Sequence, residues 1–119
     1  MDVVHMDRVE KISYQKPLFS GPEVTLQELL PASAAYRVNI VNFGKGVRNK
    51  FHYHSAEQIL IVTGGTGIVA TEDEERVVTV GDIIRIPEGE NHWHGATEDS
   101  EFSHIYIMHK ESSLTQTED

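Results

Sequence analysis

Six of the seven histidines of this 119-residue chain fall between positions 52 and 109, as His52 with His54, His92 with His94, and His104 with His109. On a β-strand, side chains at i and i+2 share a face with their Cα atoms about 6.6 Å apart. Two imidazoles in that register converge on one ion at about 2.1 Å each, and His52 and His54 have that spacing. Gln58 follows four residues after His54, on the same parity if the turn Ser55-Ala56-Glu57 preserves it, and offers an amide oxygen as a third ligand. Glu57 competes for that place but stands on the opposite parity, so Gln58 is preferred. A barrel interior brings distant strands together, which makes His92 a fourth ligand candidate. His94 shares the face of His92 and is a natural general acid or base, because an unperturbed imidazole titrates near about 6.5. A histidine that orients a ligand, or one satisfied in the core, is the other reading of the same position.

The rest of the composition narrows the chemistry around those residues. With no cysteine, thiolate zinc sites, iron–sulfur clusters, disulfides and cysteine nucleophiles are excluded, and a metal must be held by nitrogen and oxygen. Nineteen acidic against 10 basic side chains give a formal charge of -9, which repels nucleic acid and anionic membrane surfaces. No apolar run approaches the roughly 20 residues of a membrane span. The opening residues lack the basic and long apolar regions of a signal peptide, so a soluble, cytoplasmic protein is expected, with Met6 as a second possible start.

Something must position these side chains. Short runs rich in Val, Ile, Thr and Tyr recur between glycine, proline and acidic punctuation, and they predict an all-β, mostly antiparallel domain. The expected strands cover 24–29, 36–43, 47–52, 58–63, 67–71, 76–80, 83–86, 92–96 and 103–109. Turns are expected at Gly44-Lys45-Gly46, Gly64-Gly65, Glu72 to Glu75, Gly81-Asp82 and Pro87-Glu88-Gly89. The first 20 residues read as an arm, either adding an edge strand to a partner subunit or loosely ordered. The tail 111–119, with Leu114 as its one apolar residue, reads as disordered. The acidic run Glu72 to Glu75 reads as a solvated hairpin tip.

Two spaced motifs resemble those of the cupin superfamily. The first runs Gly46, five residues, His52-Tyr53-His54, three residues, Gln58, six residues, Gly65; the second runs Gly81, five residues, Pro87-Glu88-Gly89, two residues, His92, three residues, Ala96. The resemblance implies a single cupin domain, a double-stranded β-helix or jelly-roll barrel, over 1–119, with its motif-bearing barrel at about 36–109. Two positions depart from the family pattern: Gln58 replaces the usual acidic ligand and Ala96 the usual closing asparagine. An amide in place of a carboxylate leaves a divalent ion its full charge, which strengthens it as a Lewis acid and loosens the hold on it. Three imidazoles and one amide oxygen accept Mn, Fe, Ni, Co, Cu or Zn; the resemblance favours one Mn or Fe(II) per chain.

Within the cupins, the chain is similar to small manganese-dependent hydroxynitrile lyases and to the cupin part of carboxymuconolactone decarboxylase fusions. Carried over by position, that similarity implies His52, His54, Gln58 and His92 as metal ligands and His94 and His104 as proton-transfer residues. The pocket walls expected around them are Asn39, Val41, Phe43, Leu60, Tyr106 and Met108. Both faces of 36–43 carry apolar residues, and the likeness, not the local pattern, favours Asn39, Val41 and Phe43 as inward. Trp93 alternates outward, to packing or an interface. A small, mostly apolar cavity calls for a small organic substrate with an oxygen donor. The expected activity is that of a metal-dependent lyase, isomerase or dioxygenase, or else a metal-dependent binding or sensor module without turnover. Family likeness also implies a homodimer.

Overall fold

The computed structural model describes residues 1–119 and contains ten strands. They are β1 (Ile12–Ser13), β2 (Val24–Glu28), β3 (Tyr36–Phe43), β4 (His52–His54), β5 (Gln58–Thr71), β6 (Glu75–Thr79), β7 (Ile83–Ile86), β8 (His92–Ala96), β9 (Phe102–His109) and β10 (Leu114–Gln116). A single 3-10 turn at Met6–Arg8 is the one helical element, and no helix is long and apolar enough to cross a membrane. Every strand pair is antiparallel. The strands follow the order β1-β2-β3-β9-β5-β8-β4-β10, with β6 and β7 also on β5, as one sheet curled into a cupin-type barrel.

β5 is the strand that turns the corner. Its first half pairs with β7 and β9, its second half with β6 and β8, and the register shifts between Val62 and Gly64. The expected turn at Gly64-Gly65 is therefore a bend inside one 14-residue strand. Gly65 has φ of +68°, and a Cβ there would lie 1.7 Å from the Glu101 carbonyl oxygen, so only glycine fits. The two strands expected at 58–63 and 67–71 merge for this reason.

Alternation along the strands sorts the core from the surface. Gln58, Leu60 and Val62 of β5 are buried, as are Phe102, His104, Tyr106 and Met108 of β9, and Val41 and Phe43 of β3. Ile40, on the opposite face of β3, is buried as well. The N-terminal arm covers that outer face: the Gln27 side-chain amide donates to the Met6 and Val9 carbonyls at 3.3 and 3.0 Å. That cover is the physical reason both faces of β3 carry apolar residues.

Three expectations about the chain's irregular parts are corrected. Residues 47–51 do not form a strand but cross the barrel wall as two isolated bridges, Arg48 with Gly95 and Phe19 with Asn49, before β4 begins at His52. Gly95 makes that crossing possible, since a Cβ would come within 2.4 Å of the Arg48 Cα. The arm is ordered on its own chain: β1 pairs with β2, and Phe19 joins the core beside Tyr14 and Leu18. The tail is ordered too. β10 pairs with β4, and the Glu118 carboxylate accepts from the Arg48 guanidinium at 2.7 Å and from the Phe51 N–H at 2.8 Å. Backbone pairing and three charge-assisted hydrogen bonds to Glu118 hold a segment that has almost no apolar content.

Candidate metal centre

β4 and β8 meet with His52 directly opposite His92, and the i+2 spacing places His54 on the same buried face. One ligand atom from each of His52, His54 and His92 lies within 4.8 Å of the others. The ring centroids of His52 are 4.3 Å from those of His92 and 5.0 Å from those of His54. Gln58, the first residue of β5, shares the inward face of Leu60 and Val62. Glu57 is exposed and pairs with Arg85 at 3.4 Å.

Backbone carbonyls fix two of the imidazoles. The His52 Nδ1–H donates to the Lys50 carbonyl at 2.6 Å and the His92 Nδ1–H to the Glu90 carbonyl at 2.8 Å, tautomers assigned from these contacts. Each ring then presents an Nε2 lone pair to the interior, the arrangement in which a protein aims a metal ligand. Four buried atoms here have no hydrogen-bond partner: both ring nitrogens of His54, the Gln58 Oε1 and the His92 Nε2. Unpaired buried polar atoms cost about 1–3 kcal/mol each, so a group of them in one region calls for a partner. A neutral His54 carries one lone pair and one N–H, so it offers one ring nitrogen to a cation beside the His52 and His92 Nε2 atoms. The donor set fits one divalent metal.

Burial also sets the charge state. Desolvation, then the neighbouring His92, lowers His52 to about 3 and His54 to about 4; burial lowers His92 as well. The three rings are neutral at pH 7, the form that binds a metal. A linked stability effect follows in the metal-free protein. Below pH about 6.5 the unfolded chain takes up protons that the folded one refuses, so stability falls with pH, by up to about 1.4 kcal/mol per pH unit for each such histidine. Denaturation midpoints of metal-free protein are expected to be level above about pH 7 and to drop steadily between pH 6.5 and 4; a flat profile over that window would contradict the burial of neutral imidazoles.

His94 and His104 form a second pair behind the first. The His94 backbone N–H donates to Asn49 Oδ1 at 2.8 Å, and the His104 Nε2 lies 3.0 Å from the His94 Nδ1. The Asn49 Nδ2 lies 3.3 Å from the His94 Nε2. The His94 ring centroid is 5.8 Å from that of His52 and 5.7 Å from that of His92. Burial, then His104, holds His94 well below its ordinary range, and burial lowers His104 to about 4.

A cavity of about 90 Å³ opens beside these groups. Val41, Phe43, Tyr106 and Met108 line it together with His52, His54, Gln58, His94 and His104. Asn39 and Leu60 do not line it. Asn39 donates to the Tyr106 hydroxyl at 2.8 Å from behind, and Leu60 is fully buried in the core. Trp93 turns away from the cavity, its ring 4.6 Å below the Arg48 guanidinium. Several lining residues escaped the sequence reading: Tyr14, Leu18 and Phe19 from the arm, Ser112 and Leu114 from the tail, Asn49 from the irregular crossing, and Arg37. For Arg37 the signal was present, since it shares the parity of Asn39, Val41 and Phe43 one step earlier on β3. The arm and tail left none.

The sequence profile of the Cupin_2 family, described as a cupin domain, matches residues 39–108. The chain belongs to that family. It is 35% identical over 97 residues to an (R)-mandelonitrile lyase from Granulicella tundricola, an alignment covering 79% of this chain and 66% of the lyase, so the chain spans just under two thirds of that relative. Among solved structures, a cupin-like protein from Thermotoga maritima superposes with a TM-score of 0.85 at 30% identity, covering 95% of this cupin and 90% of the other. The polyketide cyclase RemF from Streptomyces resistomycificus superposes with a TM-score of 0.86 at 19% identity, covering 98% and 85%, a likeness of fold.

Proposed function

We propose that this cupin is a metal-dependent small-molecule enzyme in which His52, His54, His92 and Gln58 hold one divalent transition metal, manganese or iron by preference. The observation that carries the reading is the convergence of one ligand atom each from the buried His52, His54 and His92 within 4.8 Å, with polar atoms of His54, His92 and Gln58 left without a partner. The bound ion would supply Lewis acidity toward a substrate oxygen, undiminished by any carboxylate ligand.

The protein's own groups do the rest. The apolar walls Val41, Phe43 and Met108 exclude water and restrict the cavity to a small ligand. His94, neutral and lining the cavity, keeps its Nδ1–H hydrogen-bonded to the His104 Nε2, and its Nε2 accepts a proton when the 3.3 Å contact from the Asn49 Nδ2 is released. Asn49 holds the His94 backbone by accepting its N–H at Oδ1 and holds the ring through the Nδ2 contact. A base so depressed takes up a proton when negative charge arrives beside it and returns it readily, which suits lyase or isomerase chemistry. The similarity to a mandelonitrile lyase makes cyanohydrin cleavage the first reaction to assay.

The test is metal analysis of protein purified without a histidine tag, followed by mandelonitrile cleavage and dioxygen uptake across a panel of small oxygen-bearing substrates. About one transition metal per chain with turnover of a panel member is expected. Metal with no turnover, and a ligand that raises the melting temperature, would replace the enzyme with a metal-dependent binding module. Far less than one metal per chain would overturn both.

A further inference from the structure

Arg37 brings a charge into the cavity that the metal chemistry does not use. The residue is half-buried on β3 and lines the same cavity as His54, Gln58 and His104. Its guanidinium is held by uncharged groups: Nη2 donates to the carbonyls of Lys110 and Ser112 at 2.5 and 2.9 Å, and Nη1 to the Met108 sulfur at 3.6 Å. Two of its five N–H donors, on Nε and Nη1, have no partner. The ion pairs of the chain are Arg48 with Glu118, Arg76 with Glu74 and Arg85 with Glu57, so Arg37 has no carboxylate counter-ion.

The surroundings sharpen the imbalance. The chain carries 19 acidic side chains, yet not one lines this cavity. Beside Arg37, the Ser112 hydroxyl is buried, lines the cavity and has no hydrogen-bond partner. Burial raises the pKa of the Tyr14 and Tyr106 hydroxyls; the charge of Arg37 works against it at both, and at Tyr106 Glu28, which does not line the cavity, works with it. An unneutralised guanidinium and an unpaired hydroxyl, in a cavity free of carboxylates, are complementary to a small anion.

We propose that the cavity selects small organic carboxylates, with the Arg37 guanidinium anchoring the carboxylate and the Ser112 hydroxyl assisting it. This selectivity rests on the metal-dependent reading of the same site only for the ligand's second contact, a hydroxyl or carbonyl oxygen placed toward His54 and Gln58. The anchor itself is independent of the ion. Arg37 had its backbone parity fixed by β3 and its side chain fixed by the tail, so the anchor is preorganised by the segment that carries Ser112.

The experiment compares lactate with lactamide, which differ in the charge of one end. Backbone-amide NMR shifts are followed during titration of metal-free and manganese-loaded protein, for wild type, Arg37→Gln and Arg37→Lys. Metal-free wild type is expected to bind lactate at least about tenfold more tightly than lactamide, with shifts centred on Arg37, Ser112 and their neighbours. Arg37→Gln is expected to bring the ratio to about one while holding as much manganese as wild type, and Arg37→Lys to keep part of the preference. Equal affinities in wild type, an unchanged ratio in Arg37→Gln, or shifts confined to other surfaces would overturn the assignment. If Arg37→Gln fails to fold, the wild-type ratio in metal-free protein decides. Manganese stoichiometry separates the two claims: a chain that holds no metal yet prefers lactate contradicts the metal reading alone, and one metal per chain with no preference contradicts the anchor alone.

Discussion

Replacing His92 with alanine is expected to lower the metal content from about one ion per chain to under a tenth, and to remove the stabilisation that added metal confers. His92 is fully buried, its Nδ1–H is committed to the Glu90 carbonyl, and its Nε2 has no partner other than what the site binds. Without it, His52 loses the imidazole directly opposite on β8, and the remaining donors are two rings and an amide oxygen. Wild-type protein at a free metal concentration of 1,000 times Kd gains about 4 kcal/mol of stability from the ion. His92→Ala is expected to gain almost none of it. His109→Ala is the control, because His109 is exposed at the end of β9 and stands outside the cluster. Plasma emission spectroscopy and melting curves with and without metal check both effects. Equal metal content in His92→Ala and wild type would show that the ion, if any, sits elsewhere.

The second large effect separates proton transfer from metal binding. His94→Ala is expected to cut turnover of whichever substrate the panel identifies by about 10²–10⁴-fold while the chain keeps about one metal ion. His94 does not supply an atom to the three-histidine cluster, and its side-chain hydrogen-bonding partners are Asn49 and His104. His104→Ala is expected to produce a smaller loss in the same direction, since His104 acts on the cavity through the 3.0 Å contact to His94 as well as by lining it. Steady-state rates beside metal analysis on the same samples decide the matter. Unchanged rates in both variants would remove the histidine pair from the chemistry, and loss of metal in His94→Ala would make it a structural support of the site.

The three-histidine cluster was legible because its information is local. His52 and His54 need only a strand beneath them, and Gln58 shares a face with Leu60 and Val62 once the turn before it keeps parity. The cupin motifs then placed His92 opposite, where β8 delivers it. The cavity walls were less legible, because β3 is covered on both sides and its alternation of apolar residues carries no sign of which face is inside. The arm that buries Ile40 is held by hydrogen bonds from Gln27, a contact between distant segments that no periodicity records. Gly64 and Gly65 misled for a physical reason: the freedom that makes glycine a turn residue also lets β5 bend between two halves of the barrel. The tail is the clearest case of information absent from composition. Its order comes from pairing with β4 and from Glu118 reaching Arg48 and the Phe51 N–H, and its reward is Ser112 and Leu114 in the cavity wall.

These parts join at one place. Gln58 opens the strand that later bends at a glycine and lines the cavity with His52 and His54, and two strands meeting in register bring His52 and His92 to each other. A tail with little apolar content closes the cavity beside Arg37. The central claim is that one divalent ion sits where His52, His54 and His92 converge, with the Gln58 amide oxygen as its fourth ligand. Anomalous diffraction from crystals of metal-loaded protein, collected on either side of the manganese or iron absorption edge, tests it most directly. The predicted result is a single strong peak per chain, about 2.0–2.2 Å from one nitrogen each of His52, His54 and His92 and bonded to the Gln58 Oε1. No peak at that point, or a peak held by other residues with Gln58 Oε1 left unpaired, would contradict the account.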